Sequence, residues 1–386
     1  MTSKKRRKHK MEVAGLILSN IHNSAIPELT GIRTMASIPF GCRYRLVDFP
    51  LSNMVNSGIT KIGIVTHNNY QSLMDHIGTG KDWDLARRSG GIKILPPFIT
   101  TYDDSNGGRL YTTRLEALMG VTGFISRCKE DYIVISDCDG ICNINLQDVI
   151  DRHVETQAEL TIVTRSVKGN LDIASRSKVI VSGDDGRVVD VYSYLGNEQV
   201  SEISTNIMVI NRTFLLNIIS DAGSHGYSNF YQDIVARNLQ RARIFSYRYD
   251  GIFIQITSLE SYFRNSMSLL NTDVRKGLFN QAQRPIFTKL RNSAPTRYVD
   301  GSKVVNSYVA DGCVIEGTVE NSILFRGVTV GKGTVVKNCI LMQDTVTGNN
   351  VSLNCVISDK NVVIREGRTL SGHESMPFFI PKGSMV

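Results

Sequence analysis

The pattern of apolar and polar positions divides this chain into two regimes. From Val13 to about Leu270, short apolar runs alternate with longer stretches of helical period. Val13–Leu18, Ile62–Thr66, Ile133–Ile135 and Leu160–Thr164 are predicted strands, and the segments near Tyr70–Ile77, Arg114–Ile125 and Leu146–Thr156 are predicted helices. Such alternation implies a Rossmann-like α/β domain, a mostly parallel sheet with helices on both faces. Pro285 and Pro295, with polar residues between them, mark a linker. Beyond about Val299 the period changes. Val314, Val330, Val346 and Val362 recur every sixteen residues, as do Val319, Val335 and Val351, and Leu324, Ile340 and Val356. Three interleaved series with one period predict a solenoid with one inward apolar residue on each of three faces, the pattern of a left-handed β-helix. The expected division is a disordered tail over 1–11, an α/β domain over 12–283, a linker over 284–298 and a β-helix over 299–386.

Composition narrows the class without deciding it. At 386 residues the chain can fill two cores. No apolar run reaches membrane-spanning length, and no apolar segment near the start suits a signal peptide, so a cytoplasmic protein is expected. The seven cysteines show no disulfide or zinc spacing, which fits a reducing compartment. The net charge of +8 misleads, because Lys4, Lys5, Arg6, Arg7, Lys8 and Lys10 lie in one short run and the remainder carries only +2. No aromatic residues interleave with that run, so a solvated tail is expected and no nucleic-acid or membrane partner.

The most specific stretch is Pro39-Phe40-Gly41-Cys42-Arg43-Tyr44-Arg45-Leu46-Val47-Asp48-Phe49-Pro50-Leu51-Ser52-Asn53, continuing into Asn56-Ser57-Gly58-Ile59. It resembles the sugar-nucleotide pyrophosphorylases, and within them the ADP-glucose pyrophosphorylases of glycogen synthesis. The resemblance spans nearly the whole chain. It implies a nucleotidyltransferase (GT-A-like) domain followed by a β-helix. It also implies a catalytic loop G-G-x-G-(S/T)-R-L after the first strand, where glycines let backbone N–H groups approach phosphate and the arginine balances developing charge. Here that segment reads Ser19-Asn20-Ile21-His22-Asn23-Ser24-Ala25-Ile26. Asn20, Ile21 and Asn23 stand at the glycine positions, Ala25 at the arginine and Met35 at a lysine further on. Losing one charged stabiliser typically costs a factor on the order of 100–1,000 in rate.

The resemblance also implies Mg²⁺ held by two carboxylates. Asp139, at the end of the strand around Ile133, matches one of them best, with Asp137 a second candidate. Gln255 stands where the other should be, and an amide offers oxygen without charge. The sugar-phosphate segments have drifted as well. Val191-Tyr192-Ser193-Tyr194 lacks the family's lysine, Asn206 replaces a glycine, and a G-T-A-D-A segment has become Thr113-Arg114-Leu115-Glu116-Ala117.

Other positions persist. Arg33 and Arg45, with His76, fall where the family binds the phosphates of allosteric effectors at the seam between domains. Asp82-Trp83-Asp84-Leu85 and the stretch from Gly90 to Pro97 match a family loop near effector and subunit contacts. A kept frame with a lost loop resembles the regulatory, non-catalytic type of subunit in this family. The expectation is therefore a chain inactive or very weak alone that needs no cofactor itself. It would pair with a catalytic, Mg²⁺-using homologue, as a heterotetramer, or form homo-oligomers when alone, and a phosphorylated metabolite could act as effector. The alternative is an active sugar-1-phosphate nucleotidyltransferase of altered preference, with Arg33 substituting for the lost cations. An acyltransferase on the β-helix would need a histidine, and none lies between Val299 and Ile364.

Overall fold

The computed structural model describes residues 12–96, 111–167, 177–196 and 200–386. The basic tail at 1–11 and Pro97 lie outside the described residues. Nine described strands form one twisted sheet. They are β1 (Val13–Leu18), β2 (Lys61–Val65), β3 (Gly91–Leu95), β4 (Tyr132–Asp137), β5 (Leu160–Ser166), β6 (Lys178–Ser182), β7 (Val188–Ser193), β8 (Glu202–Asn211) and β9 (Ile244–Arg248). β1 pairs parallel with β2 and β4, and β2 pairs parallel with β3. β1 is buried almost throughout, as a central parallel strand covered on both faces must be. The second half departs from the expected parallel order. β8 runs antiparallel to β4, β5 and β6, and β6 and β7 form an antiparallel pair, so the sheet is mixed. Apolar runs report burial but not direction, which is why the alternation pointed to a mostly parallel sheet without locating the antiparallel pairs.

Six helices matter for the site: α1 (Asp48–Asn56), α2 (Gln71–Ile77), α3 (Arg114–Gly120), α4 (Leu146–Glu155), α5 (Arg212–His225) and α6 (Leu259–Met267). The helix expected over Arg114–Ile125 is broken, because α3 ends at Gly120 and a separate short helix covers Thr122–Ser126. Gly120 and the β-branched pair Val121-Thr122 are poor helix formers placed together at the break. α3 itself begins firmly, with a capping box between Thr113 and Glu116.

The C-terminal part is a three-faced solenoid, each face a five-stranded parallel sheet. Its first strand is Arg297–Tyr298, so the coils begin inside the stretch read as linker. The sixteen-residue period is only an average. Strand partners on one face run Val314, Thr329, Val346 and Val363, whereas the inward positions are Ile315, Val330, Thr347 and Ile364. Val346 therefore points outward and is 40% exposed, contrary to the expected inward series. A coil one residue short followed by coils one residue long shifts a fixed-period series across the pleat, and a one-residue slip reverses the face.

One outer face of the solenoid is not solvated. Ile323, Ile340 and Ile357 project from it into the apolar cluster that also holds Phe40, Phe49, Trp83 and Leu269 of the α/β domain. Full burial of one such side chain contributes about 1.5–3 kcal/mol, so the two domains are joined by a shared core. The intervening segment is pinned as well. Phe287 N–H donates to Ser52 Oγ at 2.9 Å, and Asn56 Nδ2 donates to the Pro285 carbonyl at 3.0 Å. Among the described residues no helix is long and apolar enough to cross a membrane.

Candidate functional site

Two charged regions are built on this frame. The first is a cleft of about 390 Å³ at the carboxyl ends of β1 and β4, where open α/β sheets place ligand chemistry. The loop after β1 is folded on its own side chains. Asn20 is buried and its Oδ1 accepts from Tyr111 Oη at 2.7 Å. Asn23 Oδ1 accepts from the Met35 N–H at 2.8 Å. Ile21 and Ala25 line the cleft, while Met35 is buried in the core with 1% exposure. The positions aligned with the family's glycines thus carry two hydrogen-bonded amides and a branched side chain at the wall of the cleft, where a glycine would leave more room.

Asp137 closes β4, and Asp139 follows two residues later; both are buried. Their charge is met by residues of this chain. Arg114, at the start of α3, donates from Nη2 to Asp137 Oδ2 at 2.5 Å and to Asn206 Oδ1 at 2.8 Å. His22 Nε2 lies 2.7 Å from the same Asp137 oxygen and 3.6 Å from Asp139 Oδ1. Burial alone would lower the His22 pKa, but the Asp139 and Asp137 carboxylates outweigh it and carry the imidazole up to about 9. Asp137 is held below the usual carboxylate range by Arg114 and His22 against the opposing effect of burial. Gln255 Nε2 donates to Asp139 Oδ2 at 2.9 Å. Asn206 takes a left-handed backbone (φ 61°), which asparagine tolerates.

These residues do not fit Mg²⁺. Donor atoms of His22, Asp137 and Asp139 do lie within 4.8 Å of one another. A dication there would sit beside the Arg114 guanidinium. Repulsion from one unit charge about 5 Å away is roughly 6–7 kcal/mol at an effective dielectric of 20. Asp139, expected as a residual metal ligand, contacts Gln255 at 2.9 Å and His22 at 3.6 Å. The sugar-side segment holds a surprise. It lacks its own lysine, yet Lys178, opposite Ser193 in the β6–β7 pair, reaches the cleft and donates to Ser193 Oγ at 2.7 Å. Strand pairing supplies what linear spacing hides.

The second region lies at the seam between the α/β domain and the solenoid. Arg43, Arg45, Lys289, Arg291, Arg326 and Lys360 line one small pocket, with His76, and no carboxylate is among its lining residues. Arg45 Nη1 donates to Ser72 Oγ at 2.9 Å. His76, on α2, packs edge-on to Trp83 and donates from Nε2 to Asp48 Oδ1 at 2.6 Å. Burial lowers the His76 pKa although Asp48 opposes it. Lys360 is pushed down to about 7 by burial, then by the nearby Arg45 and Arg33 charges. Arg45 falls to about 10, again through burial, with Asp48 opposing. Arg33 has a different position from the one expected for an anion ligand. It is 2% exposed, does not line the pocket, and grips both oxygens of Asp359 on the solenoid at 2.9 and 2.8 Å. It is an inter-domain clamp. Lys289, Arg291, Arg326 and Lys360 were not legible beforehand, because isolated basic residues in a linker and on coil turns carry no spacing that distinguishes them from a solvated surface.

A mixed α/β domain with a cleft at strand ends, joined to a left-handed β-helix through an apolar face, defines the class of nucleotidyltransferases that carry a hexapeptide-repeat domain. Residues 26–192 match the nucleotidyl transferase family model, and residues 294–375 match that of the GlmU-like C-terminal hexapeptide. Among relatives, the chain is 35% identical over 374 residues to the glycogen biosynthesis protein GlgD of Bacillus subtilis, covering 96% of each chain. It is 32% identical over 336 residues to glucose-1-phosphate adenylyltransferase of Clostridium botulinum, covering 85% of this chain and 84% of the relative. It is 30% identical over 361 residues to the same enzyme of Bacillus thuringiensis, covering 93% and 94%. The chain belongs to the glucose-1-phosphate adenylyltransferase (ADP-glucose pyrophosphorylase) family, with GlgD-type proteins among its relatives.

Proposed function

We propose that this chain is a regulatory, non-catalytic subunit in glycogen biosynthesis. It acts in the cytoplasm by pairing with a catalytic homologue that makes ADP-glucose and diphosphate from ATP and glucose 1-phosphate. The observation that carries this reading is the cleft, where Asp137 is engaged by Arg114 and His22 and the positions aligned with the family's glycines carry Asn20 and Ile21. A site in which a fixed guanidinium already sits on the Asp137 carboxylate disfavours a metal–nucleotide complex. The seam supports the regulatory half. Six cationic side chains facing one pocket without a lining carboxylate favour a polyvalent anion such as a phosphorylated metabolite. The Arg33–Asp359 clamp and the shared apolar face tie that pocket mechanically to both domains.

The assembly is a hetero-oligomer, a heterotetramer by family analogy. Co-expression with the catalytic homologue of the same genome, followed by sizing and kinetics of the mixture and of each protein alone, tests it. The reading requires a mixed species whose affinity or activation differs from that of the homologue alone. ADP-glucose synthesis by this chain alone at ordinary enzyme rates would overturn it.

A further inference from the structure

Asp137 and Asp139 are each 2% exposed, yet each keeps one oxygen without a hydrogen-bond partner. Those orphans are Asp137 Oδ1 and Asp139 Oδ1, and Gln255 Oε1 beside them is also unpartnered. Buried acceptors of this kind ordinarily find a donor or a cation. Here the charge of the pair is instead met from one side. Arg114 and His22 both converge on Asp137 Oδ2. The guanidinium is held rigidly. It is 7% exposed, tied to Asn206, and faces the Phe230 and Tyr231 rings at 5.9 and 5.3 Å. It stands on the first residue of α3, whose capping box fixes the helix start. An arginine cannot discharge itself in a protein, so it stays a cation at any working pH.

We infer that the Arg114 guanidinium, with the His22 ring beside it, stands in the place of a divalent cation: the Asp137–Asp139 pair takes neither Mg²⁺ nor Mn²⁺ in this chain, and withdrawing the two side chains uncovers a latent site for a hard metal ion. The orphaned oxygens are what such an ion would use. Two carboxylates and an amide oxygen are the all-oxygen set that Mg²⁺ and Mn²⁺ prefer. A guanidinium bonds the carboxylates along its own N–H directions and leaves the others empty, whereas a metal ion would gather them. The inference deepens the reading of the cleft as non-catalytic. Its test involves neither turnover nor the partner, so the two can fail separately.

The experiment is a Mn²⁺ titration of the full chain, followed by the electron paramagnetic resonance signal of free Mn²⁺. It compares the natural protein, Asp139→Asn, Arg114→Leu/His22→Asn, and that double variant with Asp139→Asn added, with circular dichroism as the check of folding. The natural protein and Asp139→Asn should titrate alike. The double variant should gain one site per chain, at least about tenfold tighter than anything in the natural protein, and lose it when Asp139→Asn is added. A Mn²⁺ site in the natural protein that Asp139→Asn removes would overturn the inference, as would a folded double variant with no gain. If the double variant does not fold, Arg114→Gln/His22→Asn takes its place and the same gain, and its loss with Asp139→Asn, is required; a folded variant without the gain, or an Asp139-dependent site in the natural protein, ends the inference.

Discussion

The cleft and the seam are both rich in charge, and they differ in whether the chain supplies the opposite sign. In the cleft, Arg114 and His22 meet Asp137, and Gln255 meets Asp139. At the seam, six cations share a pocket that no carboxylate lines; of these Arg326 pairs with Asp311 just outside it at 3.2 Å, and Lys360 gives way by falling to about 7. The first arrangement sets a fixed cation against its carboxylates, although Asp137 Oδ1 and Asp139 Oδ1 stay unpartnered. The second gathers like charges at close quarters, which an anion would relieve. The same fold thus holds a cleft whose carboxylates face cations of the chain and a seam pocket lined by six cations, a contrast that supports the proposed reading of a subunit that senses rather than reacts.

The comparison can be broken most forcefully at the clamp. Asp359→Ala leaves the Arg33 guanidinium buried without a partner. Loss of one member of such a pair costs about 3–5 kcal/mol, whereas replacing both with apolar residues is often neutral. Urea denaturation should show that large loss for Asp359→Ala and a much smaller one for Arg33→Met/Asp359→Leu. The seam itself comes next. Sulfate, whose charge is constant near neutrality, is the probe. Arg45→Ala or Arg291→Ala should weaken it about ten- to a hundredfold by calorimetry, because a hydrogen bond to a charged group contributes roughly 1.5–3 kcal/mol. Arg114→Leu in the cleft should leave sulfate affinity unchanged.

A smaller effect follows from Lys360. Its folded pKa of about 7 lies below the ordinary lysine value, so raising pH through 7 removes a cation from the pocket. Sulfate should bind about tenfold more weakly at pH 8.5 than at pH 6, and Lys360→Met should flatten most of that slope. For stability the sign is opposite. The unfolded chain binds more protons than the folded one between pH 7 and the normal lysine range, so this group makes the fold more stable as pH rises there. Smallest is Thr113→Ala, which removes the cap of the helix that carries Arg114 and should cost about 1 kcal/mol in thermal or urea unfolding.

Much of this was legible in the chain. Apolar runs located β1, β2, β4 and β5, and the repeat located the solenoid, because burial imposes period in both. Loss of the phosphate loop was also legible, since Ile21, Ala25 and Met35 are chemically unlike glycine, arginine and lysine. What filled the gap was not. His22 and Arg114 lie in segments far apart in sequence and meet Asp137 only because β1 and β4 are neighbours with α3 above their ends. Lys178 enters the cleft through strand register, and Lys360 and Arg291 enter the seam through docking of the solenoid. Arg33 shows the converse: its position in a motif suggested a ligand, but only tertiary packing could reveal Asp359 as its partner. Pairings of this kind are set by topology, and no local pattern encodes them.

The most direct measurement uses a catalytic homologue disabled in its own cleft and assembled with this chain. ADP-glucose formation from ATP and glucose 1-phosphate with Mg²⁺ is then followed in the purified mixed complex. The account predicts no synthesis above that of the disabled homologue alone, while the complex with the intact homologue remains active. Synthesis restored by the mixed complex, and abolished again by Asp139→Asn in this chain, would show that its cleft works and would contradict the account.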